Sequence, residues 1–204
     1  MFNVATFLII IFFSQTSVSN NLNSCGFFTE KYNSSYKLPN KLLTSISLVE
    51  SGLKRNNKLS SWPWTLNVNG KSMYFDNKED TIEYLKKSLK INKNIDIGCM
   101  QINYKYHGKN FKNLDDIISP NKNVKYAASF LRKLFKKHKS WNEAISRYHS
   151  SKPKRKKRYL VKVQSFWNDL RQRKIKIDEE IKQNFDERKV EYFRNLLQEE
   201  KLKI

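Results

Sequence analysis

The chain has 204 residues, enough for one ordinary domain and short of two comfortable ones. Its 5 Gly and 4 Pro exclude collagen-like and Pro-rich low-complexity chains, and 2 Cys exclude a disulfide-dense mini-protein and a Cys-only zinc site. Forty Lys and Arg against 19 Asp and Glu give a formal charge of +21, which favours anionic partners: nucleic acid, lipid headgroups or an acidic polymer.

Val4 to Phe13 is an apolar run with Thr6 its one polar residue. It is half the length of a spanning helix, about twenty residues, and suits the hydrophobic region of a secretory signal. Ser17 and Ser19 are small residues at the spacing signal peptidase reads, so residues 1–19 read as a signal peptide cleaved after Ser19. The run lacks a preceding Lys or Arg; an uncleaved anchor or a buried N-terminal helix is the alternative. No later stretch reaches transmembrane length. The expected product is exported to the periplasm or cell envelope, or secreted, with at most peripheral membrane contact. Export makes an envelope polymer a better partner for the charge than nucleic acid. It also permits Cys25 and Cys99 to pair, closing a loop of about 75 residues worth about 4 kcal/mol; two buried thiols are the alternative.

Leu38 to Glu50 reads as a helix, with Pro39 in its first turn and Leu42, Leu43, Ile46 and Val49 on one buried face. Gly52 stops it, so Glu50 ends an apolar helix. Asn69-Gly70 between two β-prone runs predicts a hairpin over about 62–75. Asn77 caps a helix running to about Leu89, with Ile82 and Leu85 inward. Residues 96–103 read as a loop or short turn. Helices are predicted over 121–138 and 140–149 from the stripes Val124, Ala127, Ala128, Leu131, Leu134 and Trp141, Ala144, Ile145, Tyr148. Composition shifts after Ser151: Lys152 to Lys176 holds eleven basic residues against Asp169 alone, and about 178–204 reads as a charged amphipathic helix. The expected organisation is a signal (1–19), one mainly α domain with a small β-hairpin (20–151) and a basic helical extension (152–204).

A carboxylic acid among apolar neighbours has a raised pKa, which a general acid at neutral pH needs. Glu50 is the candidate. Four motifs occur in order: Val49-Glu50-Ser51-Gly52, Gly98-Cys99-Met100-Gln101-Ile102-Asn103, Asn123-Val124-Lys125-Tyr126-Ala127-Ala128 and Ala144-Ile145-Ser146-Arg147-Tyr148-His149. The set, covering about 38–151, resembles the SLT-type lytic transglycosylases, glycoside hydrolase family 23. With the Trp-Pro-Trp hairpin and Tyr106-His107-Gly108, it is most similar to the small exported secretion- and conjugation-associated members.

The resemblance implies a lysozyme-like α-helical fold that cuts the β-1,4 bond between N-acetylmuramic acid and N-acetylglucosamine in peptidoglycan. Glu50 matches the one catalytic acid of the family. It would protonate the glycosidic oxygen, then take the proton of the muramyl 6-hydroxyl as that group attacks C1, giving a 1,6-anhydro end. No second carboxylate is needed, unlike ordinary glycosidases. Gln101 matches the glutamine that holds substrate near the acid, and Tyr148 the tyrosine whose hydroxyl lies near it. Met100, Ser72, Asn103 and His149 complete the substrate-binding candidates, Met100 packing beneath the site. Trp62, Trp64, Tyr74 and Phe75 are candidates for stacking on sugars or for core packing.

Three positions depart from the pattern: Cys99 replaces Leu, Asn103 replaces Met and His149 replaces Asn. Goose-type lysozymes carry a carboxylate at the position of Asn103, and an amide cannot act as a base, which favours transglycosylation over hydrolysis. Asp96 is the remaining candidate for a water-activating base. The alternatives are thus a hydrolytic muramidase on the same fold and a non-catalytic basic wall-binding protein built around Lys154–Arg158. His107, His138 and His149 show no metal-ligand spacing, so no metal or cofactor is expected. The expected partners are peptidoglycan strands and a cell-envelope secretion apparatus, with the enzyme a monomer.

Overall fold

The computed structural model describes residues 24–201, with side chains through residue 191. The segment 1–19 expected to be a signal lies outside the described residues. The fold is mainly α with a small antiparallel sheet.

Helix α1 (Cys25–Ser35) is capped by Ser24, whose hydroxyl accepts from the Phe27 N–H. No element is predicted here, because buried Thr29 and Asn33 interrupt the apolar spacing. Both are satisfied: Thr29 pairs with Thr44, and Asn33 donates to the Leu38 carbonyl and accepts from the Leu43 N–H. Helix α2 (Leu42–Ser51) begins at Leu42 rather than Leu38. Lys41 takes left-handed backbone (φ 63°), and the Leu42 N–H closes a turn on the Pro39 carbonyl, so Pro39 shapes the approach to the helix.

Two short strands, β1 (Gly52–Arg55) and β2 (Lys58–Ser61), form an antiparallel hairpin next to α2. The predicted hairpin follows as β3 (Thr65–Val68) and β4 (Lys71–Tyr74), joined by Asn69 and Gly70 at φ 54° and 84°, the geometry Asn-Gly favours. Helix α3 (Lys78–Leu89) is capped by Asn77, which accepts from the Asp80 N–H.

The stretch expected as a loop instead holds β5 (Ile95–Ile97) and β6 (Ile102–Asn103), extending the sheet in the order β4-β3-β5-β6. Strands of three and two residues are too short to show alternation; pairing with β3 makes them strands. Helix α4 (Tyr104–His107), a 3-10 turn (Gly108–Asn110) and α5 (Leu114–Ile118) lead to α6 (Pro120–His138) and α7 (Trp141–His149).

Helix α1 packs on α2 and α6, α7 packs between α6 and α8 (Pro153–Lys201), and α8 lies across α2. Leu42, Leu43, Ile46, Leu66, Ile97, Met100, Val124, Leu131, Ile145 and Val163 share one core. Cys25 and Cys99 form a disulfide, with Cα atoms 5.6 Å apart, fastening α1 to the β5–β6 turn.

Composition changes at residue 151, but packing does not end there. Tyr159 and Val163 of α8 are buried, and the Trp167 indole donates to the Asn40 carbonyl at 2.7 Å. Residues 171–191 are all exposed. A 49-residue helix is about 70 Å long, so much of α8 projects beyond the domain. No helix among the described residues is long and apolar enough to cross a membrane.

Candidate active site

Glu50 lies in the last turn of α2, where the helix meets β1. That junction requires glycine: a Cβ on Gly52 would sit 2.3 Å from the Leu48 carbonyl oxygen, which accepts the Gly52 N–H. Ser47 and Ser51, one helical turn apart, both donate to the Cys99 carbonyl, at 3.0 and 2.7 Å. The helix end carrying Glu50 is therefore tied directly to the β5–β6 turn.

That turn is held again from below. Asn123, fully buried on α6, accepts from the Met100 N–H at 2.9 Å and donates to the carbonyls of Ile97 and Ile117 at 2.9 and 2.8 Å. Gly98 is left-handed (φ 75°), and a Cβ there would lie 3.0 Å from the Asn123 amide nitrogen. Gln101 is also left-handed (φ 45°), and its amide nitrogen donates to the Gly98 carbonyl at 3.0 Å. Gln101 thus braces its own loop, and its amide oxygen is the atom it can offer to a ligand.

Strand register then builds one wall of a cleft of about 570 Å³. Asn67 lies opposite Ser72 on one side and Asp96 on the other, and Asp96 lies opposite Asn103. These four form a cross-strand row lining the cleft, while Leu66, Ile97 and Ile102 of the same strands enter the core. The Asn103 amide donates to Asn94 and Asp96, each at 2.8 Å, and its Oδ1 is buried without a partner among the described residues. A carboxylate at position 103 would face Asp96 with like charge; the amide binds it instead.

Glu50, Gln101, Tyr148 and His149 line this cleft with Ser72 and Asn103, so six of the seven residues singled out in the sequence meet at one place. Met100 is the exception. Its side chain is fully buried beneath the cleft, and it acts through its backbone: its carbonyl accepts the Tyr148 hydroxyl at 2.8 Å. The hairpin aromatics are absent from the cleft lining as well. The Trp62 indole donates to the Phe75 carbonyl under the Arg55 guanidinium, and Phe75 packs on Tyr84. Tyr106, 65% exposed, and Phe130 supply aromatic surface there.

On its other side Glu50 meets α8. The Tyr159 hydroxyl donates to Glu50 Oε1 at 2.5 Å, and its ring stacks on His149 at 4.6 Å and 6°. Glu50 keeps part of its surface open to the cleft, yet burial pushes its pKa up to about 8. The Tyr159 hydrogen bond and the Lys162 charge oppose that rise, and the Asp96 charge adds to it. Burial also raises Asp96, against the Asn103 hydrogen bond. Burial, then the charges of Arg155, Lys162 and Arg158, hold His149 below the usual imidazole range and therefore neutral at pH 7. Tyr148 and Tyr159 are pushed well above the ordinary phenol range, chiefly by burial and then by Glu50, so both remain hydroxyl donors.

Sequence reasoning missed Tyr159 as a partner of Glu50 and Asn123 as the anchor of the turn. Tyr159 shares a helical face with Val163 and Trp167, a spacing visible in the sequence; Asn123 lies within one of the motifs. Among the described residues, no group of three or more His, Cys, Asp or Glu is placed to hold a metal ion.

A mainly α domain with a carboxylic acid at a helix end, facing a small antiparallel sheet across a cleft, has a lysozyme-like architecture. Residues 27–168 match the transglycosylase SLT domain family, and the chain belongs to it. No match was found among curated proteins or solved structures. The family comprises lytic transglycosylases acting on peptidoglycan, and the matched span includes the part of α8 that carries Tyr159.

Proposed function

We propose that the protein cuts the bond between N-acetylmuramic acid and N-acetylglucosamine without consuming water, leaving 1,6-anhydromuramyl ends, with Glu50 as acid and then base. The observation that carries this reading is Glu50 itself: a cleft-lining carboxylic acid with a pKa near 8, held by a hydroxyl donor. Because Tyr159 donates to Oε1, the proton of neutral Glu50 belongs on Oε2, free for the glycosidic oxygen. After transfer, the same hydrogen bond and Lys162 stabilise the carboxylate, which then takes the proton of the muramyl 6-hydroxyl. A pKa close to the working pH serves both steps. Gln101, Tyr106 and the row Ser72, Asn67 and Asn103 are the groups for binding sugar. Tyr148 acts at one remove, by positioning the Met100 backbone. Export through residues 1–19 and action in the envelope, beside a secretion apparatus, complete the reading.

A second reading rests on Asp96, which shares the cleft with Glu50 and raises its pKa. If Asp96 activates water, the enzyme is a muramidase; its hydrogen bond to Asn103 argues for a structural role. Mass spectrometry of peptidoglycan digests decides. Anhydromuramyl ends, absent with Glu50→Gln, are expected. Reducing ends heavier by one water would replace this reading with hydrolysis. Undiminished cleavage by Glu50→Gln would remove Glu50 from the chemistry altogether.

A further inference from the structure

Beside the cleft, on the α8 side of Glu50, lies a second cavity of about 420 Å³, lined by Val49, Glu50, His149, Arg155, Arg158, Tyr159 and Lys162. Val49, Glu50, His149 and Arg155 line both spaces, so the cavity and the cleft adjoin at Glu50. The cavity is strongly basic. Arg155, Arg158 and Lys162 recur at three and four residues on α8, on the face that also carries Tyr159. None of the three makes an ion pair among the described residues, whereas neighbouring Lys156 is matched by Glu143 at 2.7 Å. Glu50 is the one carboxyl in the lining, and it is protonated at neutral pH. Three cations therefore face a cavity whose lining holds a single carboxyl.

Cations gathered this way bind carboxylate or phosphate by charge-assisted hydrogen bonds, Arg in bidentate fashion. The cavity touches the acid that acts on the glycosidic oxygen, so its occupant is attached to a sugar beside the cut bond. Of the two sugars in peptidoglycan, the muramyl residue alone bears an acidic substituent. This is a lactyl ether ending in a carboxylate, or in a peptide with carboxylates of its own. We propose that Arg155, Arg158 and Lys162 form an anion subsite for the carboxylate of the muramyl substituent next to the bond being cut. The inference rests on the glycan-cleaving reading above, and adds the feature by which the site tells a muramyl strand from a neutral one.

The test is binding to the Glu50→Gln protein, which separates recognition from turnover. Three tetrasaccharides are compared by calorimetry: one with muramyl peptides, one with free lactyl carboxylates, and neutral chitotetraose. At low salt at least one anionic ligand binds about tenfold tighter than the neutral one, and raising salt from about 0.05 M to about 0.5 M erodes the difference. Which anionic ligand keeps the advantage identifies the carboxylate. Adding Arg158→Gln, an exposed residue that lines the basic cavity and not the glycan cleft, cuts the preference by about threefold or more and leaves chitotetraose affinity within about twofold. Equal affinity for charged and neutral ligands, or a preference that survives Arg158→Gln in full, overturns the subsite and leaves the cleavage reading standing. Failure of every glycan to bind overturns both.

Discussion

The two walls around Glu50 are built on different principles. The sheet wall is neutral apart from Asp96 and is fixed several times over: by the Cys25–Cys99 disulfide, by two serine hydroxyls on one carbonyl, and by an asparagine with two bonds to the turn and its strand and a third to Ile117 of α5. The α8 wall meets Glu50 through one hydrogen bond and carries three cations that make no ion pair among the described residues. Redundant short-range bonding suits a surface that must keep sugar hydroxyls in register. A single bond with surrounding charge suits a surface that sets a proton equilibrium. The comparison teaches that geometry and protonation are assigned to separate elements of this fold, so each can be perturbed alone.

The sheet wall gives the largest effects. Cys25→Ser with Cys99→Ser is expected to cost about 4 kcal/mol in chemical denaturation, since the bond closes a 74-residue separation. Asn123→Ala removes the side-chain partner of the buried Met100 N–H and of the Ile97 and Ile117 carbonyls. A loss of about 3 kcal/mol or more is expected, with activity falling in step with the folded fraction. Loss of activity with full stability would mean that Asn123 touches substrate.

The α8 wall is read through pH. An unfolded Glu50 releases its proton near pH 4.5 and the folded one near pH 8, so between those values the folded state holds the extra proton. Stability therefore falls as pH rises through that window, by at most about 1.4 kcal/mol per pH unit. Glu50→Gln removes the dependence, and thermal melts should show its advantage over the parent widening from pH 5 to pH 8. A constant difference would place the Glu50 pKa in the ordinary range.

A smaller shift separates the two tyrosines. An acid must be protonated to act, so kcat/KM is flat below the Glu50 pKa and falls above it. Tyr159→Phe removes a bond that favours the carboxylate and moves the alkaline limb upward by about one pH unit. Tyr148→Phe leaves the limb in place, because that hydroxyl serves the Met100 carbonyl. Equal shifts in both variants would dissolve the distinction between the walls.

Much of this was legible before folding, and the legible part has a common origin. The Asn69-Gly70 turn, the Asn77 cap and the stripes of α6 and α7 depend on residues a few positions apart. Glu50 stood out for the same reason, because its own helical turn is apolar. Helix α1 was hidden because its buried polar groups find their partners in α2 and the segment before it. The hairpin aromatics left sugar stacking and core packing both open, and the backbone of their own hairpin takes up Trp62.

The cleft is another matter. The row Ser72, Asn67, Asp96 and Asn103 exists because three strand pairings share one register. The bond between Tyr159 and Glu50 spans 109 residues. The basic cavity needs α8 to cross α2, and a run of lysines and arginines looks the same whether it faces solvent or an active site. Local chemistry wrote the helices, the turns and the acid into the chain. The proton equilibrium of that acid, and the charge placed beside it, arise from burial and Coulomb interactions between segments that meet only on folding.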